Sequence, residues 1–175
     1  MNLYALVTII PRNPYEFAKI VKRLTVCNVR NLRANSADNN IHFKVENVDA
    51  LIGCLEGFDE VFLTVDLRLR LKVLGDRLNE LIAVLNAKRM PALYPYRIIA
   101  VISSGDYHLA IQRTSNRNIY LIRCLRAKNL DVVLSPSTFL LAGTLDTIKN
   151  DINRCSKLLS RALLQSNWLT NAVNG

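Results

Sequence analysis

Residues 3–24 read LYALVTIIPRNPYEFAKIVKRL and contain the clearest structural pattern of the chain. Its first part, Leu3 to Ile10, is a continuous apolar run that is too short for a helix and is closed by Pro11, so it predicts a strand buried on both faces. Asn13 and Pro14 then supply a helix N-cap and a proline at the first helical position. The apolar side chains that follow recur on one helical face. A buried strand followed by an amphipathic helix favours a parallel α/β sheet.

Similar segments continue along the chain. The remaining predicted strands are 29–33, 41–45, 60–65, 81–85, 97–103, 107–113 and 131–135, and the remaining predicted helices are 47–55, 67–74 and 144–164. Residues 107–128 are ambiguous: 107–113 alternates like an edge strand, and 118–128 fits either a helix or a strand, with a helix favoured. The fold class predicted from this alternation is α/β, as a compact or incomplete TIM-like (βα) barrel formed by a single domain over residues 1–175. An open α/β sheet and a tandem α+β arrangement are the alternatives. The proline-containing segment 86–96 is a candidate flexible connection.

The excess of positive charge lies in the last two thirds of the chain. Residues 1–66 carry 7 Lys and Arg against 8 Asp and Glu, whereas residues 67–175 carry 16 against 6, so the net charge of +9 comes from the second segment. A field this asymmetric indicates a polyanionic partner, and nucleic acid is the most common one.

The four cysteines are 27, 70 and 31 residues apart, which is neither a zinc-binding spacing nor a dense disulfide framework. We therefore expect reduced, mostly buried thiols. The apolar N-terminal run is too short for a membrane span and lacks the basic region of a signal peptide. A cytoplasmic protein without a membrane partner is the prediction.

Few residues suggest catalysis. The two histidines, His42 and His108, stand alone, and the glycines are isolated, so no metal-binding or phosphate-cradling motif is recognised. The strongest enzymatic alternative is a small metal-dependent barrel hydrolase that uses Asp59, Asp66 and His108. Otherwise we predict no catalytic or metal-binding residue.

The basic residues are better organised. Residues 67–130 contain 9 Arg and 3 Lys against 3 acidic residues, and the guanidinium group suits phosphate well. The sequence from Asp66 to Lys72 places three cations at alternate positions, which would share one face of a strand but spread over a wide arc of a helix. The predicted RNA-binding residues are Arg68, Arg70, Arg77, Arg113, Arg117 and Arg126.

Read in order, several segments resemble the ribonuclease P protein component 3 family of archaea and eukaryotes. The matching segments are 13–24, 58–65, 67–69, 76–77, 81–84, 129–135 and 162–169. The resemblance implies a TIM-like barrel that supports a catalytic RNA while that RNA removes the 5′ leader of precursor tRNA. It also implies partner subunits, namely ribonuclease P RNA, precursor tRNA and other small proteins of the enzyme, with Mg²⁺ serving the RNA component and no cofactor in this chain.

Three functions follow as predictions. The first is a ribonuclease P subunit that belongs to an endonuclease holoenzyme without holding its chemistry. The second is a basic nucleic-acid-binding module unrelated to tRNA maturation, and the third is the hydrolase described above. A structural protein whose charge is incidental is the remaining alternative.

Overall fold

The computed structural model describes residues 3–90, 98–130 and 140–173. Its strands are β1 (Tyr4–Ile10), β2 (Arg30–Asn35), β3 (Asn40–Val45), β4 (Phe62–Val73), β5 (Lys88–Arg89), β6 (Ile98–Ser104), β7 (Tyr107–Arg113), β8 (Ile119–Arg126), β9 (Leu141–Gly143) and β10 (Thr170–Val173). Its helices are α1 (Pro14–Val26), α2 (Val48–Cys54), α3 (Leu78–Val84) and α4 (Leu145–Gln165).

The described strands form one sheet in which every pairing is antiparallel. Their order is β2-β3-β1-β4-β8-β7-β6-β5, and β9 and β10 also pair with β4. The predicted TIM-like barrel and the predicted parallel sheet are therefore wrong. The apolar run of β1 is not buried on both faces, because the side chains of Leu6 and Ile10 point away from the core and are 39% and 43% exposed. Short turns also join β2 to β3, β6 to β7 and β7 to β8 as hairpins, which parallel strands cannot form.

The first six elements form a recognisable unit. The order β1-α1-β2-β3-α2-β4 with the sheet order β2-β3-β1-β4 is the ferredoxin-like βαββαβ connectivity. The long strand β4 then continues into the second half of the molecule. One edge of β4 pairs with β1 and then β10, and its other edge pairs with β9 and then β8.

All four helices bury side chains in one apolar cluster on one side of the sheet. Ile20 of α1, Leu51 of α2, Leu81 of α3 and Ile152 of α4 belong to the cluster that also contains the odd-numbered residues of β4. The helices therefore form a single layer that covers one face, here called the inner face. The opposite face is called the outer face.

Several local predictions are confirmed. Asn13 caps α1 by accepting a hydrogen bond from the backbone N–H of Glu16 at 2.8 Å, with Pro14 at the first helical position. The long predicted helix over 144–164 is α4, and it is amphipathic. No described helix combines the length and apolar character that a membrane span requires.

Three other local predictions are wrong. The segment 67–74 lies in β4 except for its last residue, 81–85 falls largely in α3, and 118–128, for which a helix is favoured over a strand, is mostly β8, the second strand of a hairpin. The predicted strand over 131–135 lies outside the described residues. Within the candidate connection 86–96, two residues form β5, which pairs with β6.

The cysteines are paired, so the expectation of reduced thiols is also wrong. One disulfide joins Cys27 to Cys54, and the other joins Cys124 of β8 to Cys155 of α4. Cys124 and Cys155 are buried in the core cluster, whereas Cys27 and Cys54 are only partly buried. The sequence spacing could not reveal this because the two members of each pair meet only in the folded protein.

Candidate nucleic-acid interface

The outer face is defined by the alternation of three neighbouring strands. In β4, the odd-numbered residues from Leu63 to Val73 are buried against the helices, and the even-numbered residues point outward. The cross-strand register carries this alternation into β1 and β3. The outward residues are Tyr4, Leu6, Thr8, Ile10, Asn40, His42, Lys44, Phe62, Thr64, Asp66, Arg68, Arg70 and Lys72.

Three cations of β4 share the outer face. Arg68, Arg70 and Lys72 occupy alternate positions of one strand, so their Cα atoms are roughly 6.7 Å apart in succession. We call them the basic row. Arg70 and Lys72 make no ion pair with any residue in the described ranges. Their charges are therefore available to an anionic ligand.

Arg68 is held more firmly than its two neighbours. Its Nε and Nη2 atoms donate to Oδ2 of Asp66 at 2.9 and 2.7 Å. Burial alone would lower the pKa of Arg68, but the hydrogen bond and the charge of Asp66 outweigh it and raise that pKa above its ordinary value. The guanidinium therefore has a fixed position and a permanent charge beside Tyr4, its partner across the sheet.

A buried ion pair lies beside Arg68 on the neighbouring strand. Arg123 of β8 is opposite Arg68 in the register, and its guanidinium contacts Oδ1 of Asp66 at 3.0 Å. The Arg123 side chain is 3% exposed, so loss of solvation lowers its pKa, although Asp66 opposes this shift. Asp66 thus contacts two guanidinium groups with one negative charge, so the net charge of these three side chains is +1.

Apolar and aromatic side chains share the outer face with the cations. Phe62 is 43% exposed and stands directly opposite Ile10 of β1, which is 43% exposed as well. Leu6 is 39% exposed on the same face. The Nζ atom of Lys44 lies 4.8 Å from the centroid of the Tyr4 ring, which is a cation–π contact. Fixed cations and an exposed ring on one sheet face are features that single-stranded nucleic acids use for phosphate contacts and for stacking.

The structure separates the six arginines that the sequence singled out. Arg68 and Arg70 lie on the outer face. Arg77 and Arg117 are near one end of the sheet, where they pair with Glu80 and Asp76 respectively.

Arg113 stands close to that end and lines a concave site with Arg117. Arg126 lies on the inner side, where it donates to the carbonyl oxygen of Ala142 at 3.0 Å. These six residues therefore do not form one surface.

The alternative hydrolase gains no support from the geometry. His108 is buried, its Nδ1 lies 2.7 Å from Oγ of Ser103, and its Nε2 lies 2.9 Å from the carbonyl oxygen of Ala127. Asp66 is engaged by two arginines, and Asp59 is exposed. Among the residues that the structure describes, no group of three His, Cys, Asp or Glu side chains could hold a metal ion.

Sequence reasoning missed the non-arginine part of the outer face. Tyr4, Lys44 and Phe62 belong to strands that are far apart in the chain and become neighbours only through the register. The available signal was the alternation of leucine with basic residues from Leu67 to Lys72, which has the period of a strand rather than that of a helix. Once that stretch is read as a strand, its basic residues must share one face.

Comparisons of this chain with family models, with curated proteins and with solved structures find no match.

Proposed function

We propose that the outer face binds single-stranded nucleic acid. The observation that carries this proposal is the basic row of Arg68, Arg70 and Lys72 on the sheet face opposite the helix layer, with the exposed ring of Phe62 on the same face, about 20 Å from Arg68 along β4. The cations contact phosphates, and the rings stack on bases. Some RNA-binding domains also present bases to a four-stranded sheet, but that is an analogy of fold, so the proposal depends on these side chains.

The test separates the phosphate contacts from the stacking contact. Binding of a fluorescein-labelled 12-nucleotide RNA is followed by anisotropy between about 0.05 and 0.5 M salt. Each phosphate contact with a single strand contributes about 0.7 to the slope of log affinity against log salt, which amounts to about fivefold in affinity at 0.1 M salt. The double variant Arg70→Gln/Lys72→Gln should therefore bind about 25-fold more weakly, with a slope smaller by about 1.4.

The matched control is Lys22→Gln/Lys149→Gln, which removes the same charge from exposed positions of α1 and α4 in the helix layer. It should change affinity by less than twofold. If both double variants weaken binding equally, the nucleic acid responds only to net charge, and the outer face is not the site.

The aromatic contact has a different signature. Phe62→Ala should weaken binding by roughly 1–3 kcal/mol, the value of one stacked base, and should leave the salt slope unchanged because the ring carries no charge. A duplex of the same sequence, whose bases are already stacked, should bind the wild type more weakly than the single strand does. Equal binding of duplex and single strand by the wild type and by Phe62→Ala would remove stacking from the proposal.

Membership of ribonuclease P is the more specific prediction, and it remains one. The family resemblance implied a barrel, which this fold does not contain, so its support is now limited to the matching segments and the basic charge. Reconstitution of precursor-tRNA cleavage, with the RNA and other protein subunits and with or without this chain, tests it directly. Cleavage that does not depend on the chain, together with binding of unrelated single strands, would leave the general module.

A cytoplasmic location likewise remains a prediction. Disulfides persist in oxidising compartments and in the cytoplasm of hyperthermophiles and are rare elsewhere. The two disulfides of this chain therefore restrict the prediction to a cytoplasm of that kind.

A further inference from the structure

A second basic site lies on the inner side of the sheet. The second half of α4 and the end of the β6–β7 hairpin enclose a pocket of about 220 Å³. Its lining consists of Ser104, Tyr107, Arg154, Lys157, Leu158 and Arg161. The pocket is separate from the outer face, because α4 belongs to the helix layer.

Three cations converge on this pocket without a compensating carboxylate in its lining. Arg154, Lys157 and Arg161 follow one another at spacings of three and four residues, which places them along one side of α4. None of them makes an ion pair within residues 3–90, 98–130 and 140–173. Like charges at these spacings destabilise a helix slightly, and a bound anion would relieve their repulsion.

The floor of the pocket is ordered before any ligand arrives. The hydroxyl group of the buried Tyr107 donates to Oδ1 of Asp151 at 2.6 Å, which fixes the ring. The guanidinium of Arg154 lies 5.3 Å from the centroid of that ring. Asp151 itself is 0% exposed and lies 3.6 Å from Nε of Arg126. Its charge is therefore engaged by Tyr107 and Arg126.

The helix dipole does not explain the cluster. Basic residues near a helix C-terminus can simply offset the dipole, but this effect is confined to the last turn. The last turn of α4 contains no basic residue. The three cations lie further back, where their shared feature is the pocket.

We propose that this pocket binds a phosphate group. Three cations and the hydroxyl of Ser104 supply donors around it, and the volume equals that of about seven water molecules at about 30 Å³ each, which accommodates a phosphate and part of the group that carries it. The phosphate belongs either to a small phosphorylated molecule or to the terminus of a nucleic acid strand. This inference goes beyond the proposed function, since the outer face can bind a strand without it.

The first experiment titrates the ¹⁵N-labelled protein with inorganic phosphate in place of chloride, at constant ionic strength. Saturable amide shifts are expected over residues 104–107 and 154–161. Lys157→Gln/Arg161→Gln should weaken this binding at least tenfold, whereas Lys22→Gln/Lys149→Gln should change it less than twofold. Shifts that do not saturate, or that survive unchanged in the pocket variant, overturn the assignment of inorganic phosphate to the pocket.

The second experiment identifies the source. A 12-nucleotide RNA with a 5′-phosphate is compared with the same RNA ending in a hydroxyl group, on wild type, on the pocket variant and on Arg70→Gln/Lys72→Gln. Preference for the phosphorylated end that disappears only in the pocket variant assigns the site to a strand terminus. Equal binding of both RNAs, combined with saturable binding of inorganic phosphate, assigns the pocket to a small phosphorylated molecule. If the pocket variant changes neither the phosphate titration nor the preference for the 5′-phosphorylated RNA, the pocket proposal is wrong. This holds whether or not Arg70→Gln/Lys72→Gln weakens RNA binding.

Discussion

Breaking the disulfide between Cys124 and Cys155 should remove a large part of the stability of this fold. The two residues are separated by 31 positions in sequence. The loop-entropy relation then gives about 12.3 cal/mol/K, or about 3.7 kcal/mol at 25 °C, for the restriction of the unfolded chain. The same relation gives about 3.5 kcal/mol for Cys27 and Cys54, whose separation is 27. Domains of this size are stable by only about 5–15 kcal/mol.

Burial distinguishes the two bonds kinetically. Cys124 and Cys155 are 1% and 0% exposed, whereas Cys27 and Cys54 are partly exposed. A reductant reaches an accessible disulfide first. In native buffer with dithiothreitol, two thiols should appear early and map to Cys27 and Cys54, and the other two should appear only as fast as the protein unfolds.

The assay is urea unfolding at 25 °C, with alkylation and mass spectrometry to count thiols. Partial reduction should lower the free energy of unfolding by about 3.5 kcal/mol and complete reduction by about 7 kcal/mol. Reduction retains the sulfur atoms, so it measures the link alone, whereas Cys124→Ala/Cys155→Ala should cost more because it also removes buried volume. Four free thiols in protein purified without reductant, or a loss below about 1 kcal/mol on full reduction, would show that the two disulfides do not stabilise the fold in this way.

The remaining predictions concern the ion pair between Asp66 and Arg123 and the hydrogen bond from Tyr107 to Asp151. Asp66→Asn removes the carboxylate that the buried Arg123 contacts at 3.0 Å and should lower the free energy of unfolding by about 3–5 kcal/mol. The same change should tighten RNA binding by the folded protein, because it removes one negative charge from the outer face. Weaker RNA binding, measured under conditions in which the variant is folded, would contradict the proposed site. Tyr107→Phe removes the donor to Asp151 and should cost about 1–3 kcal/mol in urea unfolding. Burial, together with the hydrogen bond to Asp151, raises the pKa of Tyr107, so its contribution to stability should be complete below pH 10 and should fall as the pH rises through the folded-state pKa. The Tyr107→Phe variant should lack this alkaline loss, and an absorbance titration of the wild type at 295 nm should show one phenol that ionises late.

Sequence reasoning succeeded where local chemistry decides the structure. Asn13 and Pro14 specify the start of α1 through a cap and a fixed backbone angle, and neither depends on the rest of the fold. The long helix α4 has enough periodic turns for its apolar stripe to be unambiguous.

Sequence reasoning failed where pairing decides. The run from Leu3 to Ile10 is apolar on both faces, yet only one face meets the helices, so the sequence alone pointed to a parallel sheet. The cationic and aromatic residues of the outer face were predicted only in part for the same reason. The density of positive charge in the sequence indicated Arg68 and Arg70, but the sequence does not show that Tyr4 lies opposite Arg68.

The shared strand β4 has a consequence for folding during synthesis. Strand β1 is synthesised before β4, so the first half of β4 can pair with it at once. One edge of the second half of β4 has no neighbour until β10, about 100 residues later, has been translated. At roughly 5–20 residues per second this interval is about 5–20 s. An unpaired strand edge is open to pairing with other chains during that time, and charged side chains discourage such pairing. Arg70 and Lys72 stand at this edge, so the residues proposed to bind a ligand in the finished protein would also protect the nascent one from aggregation.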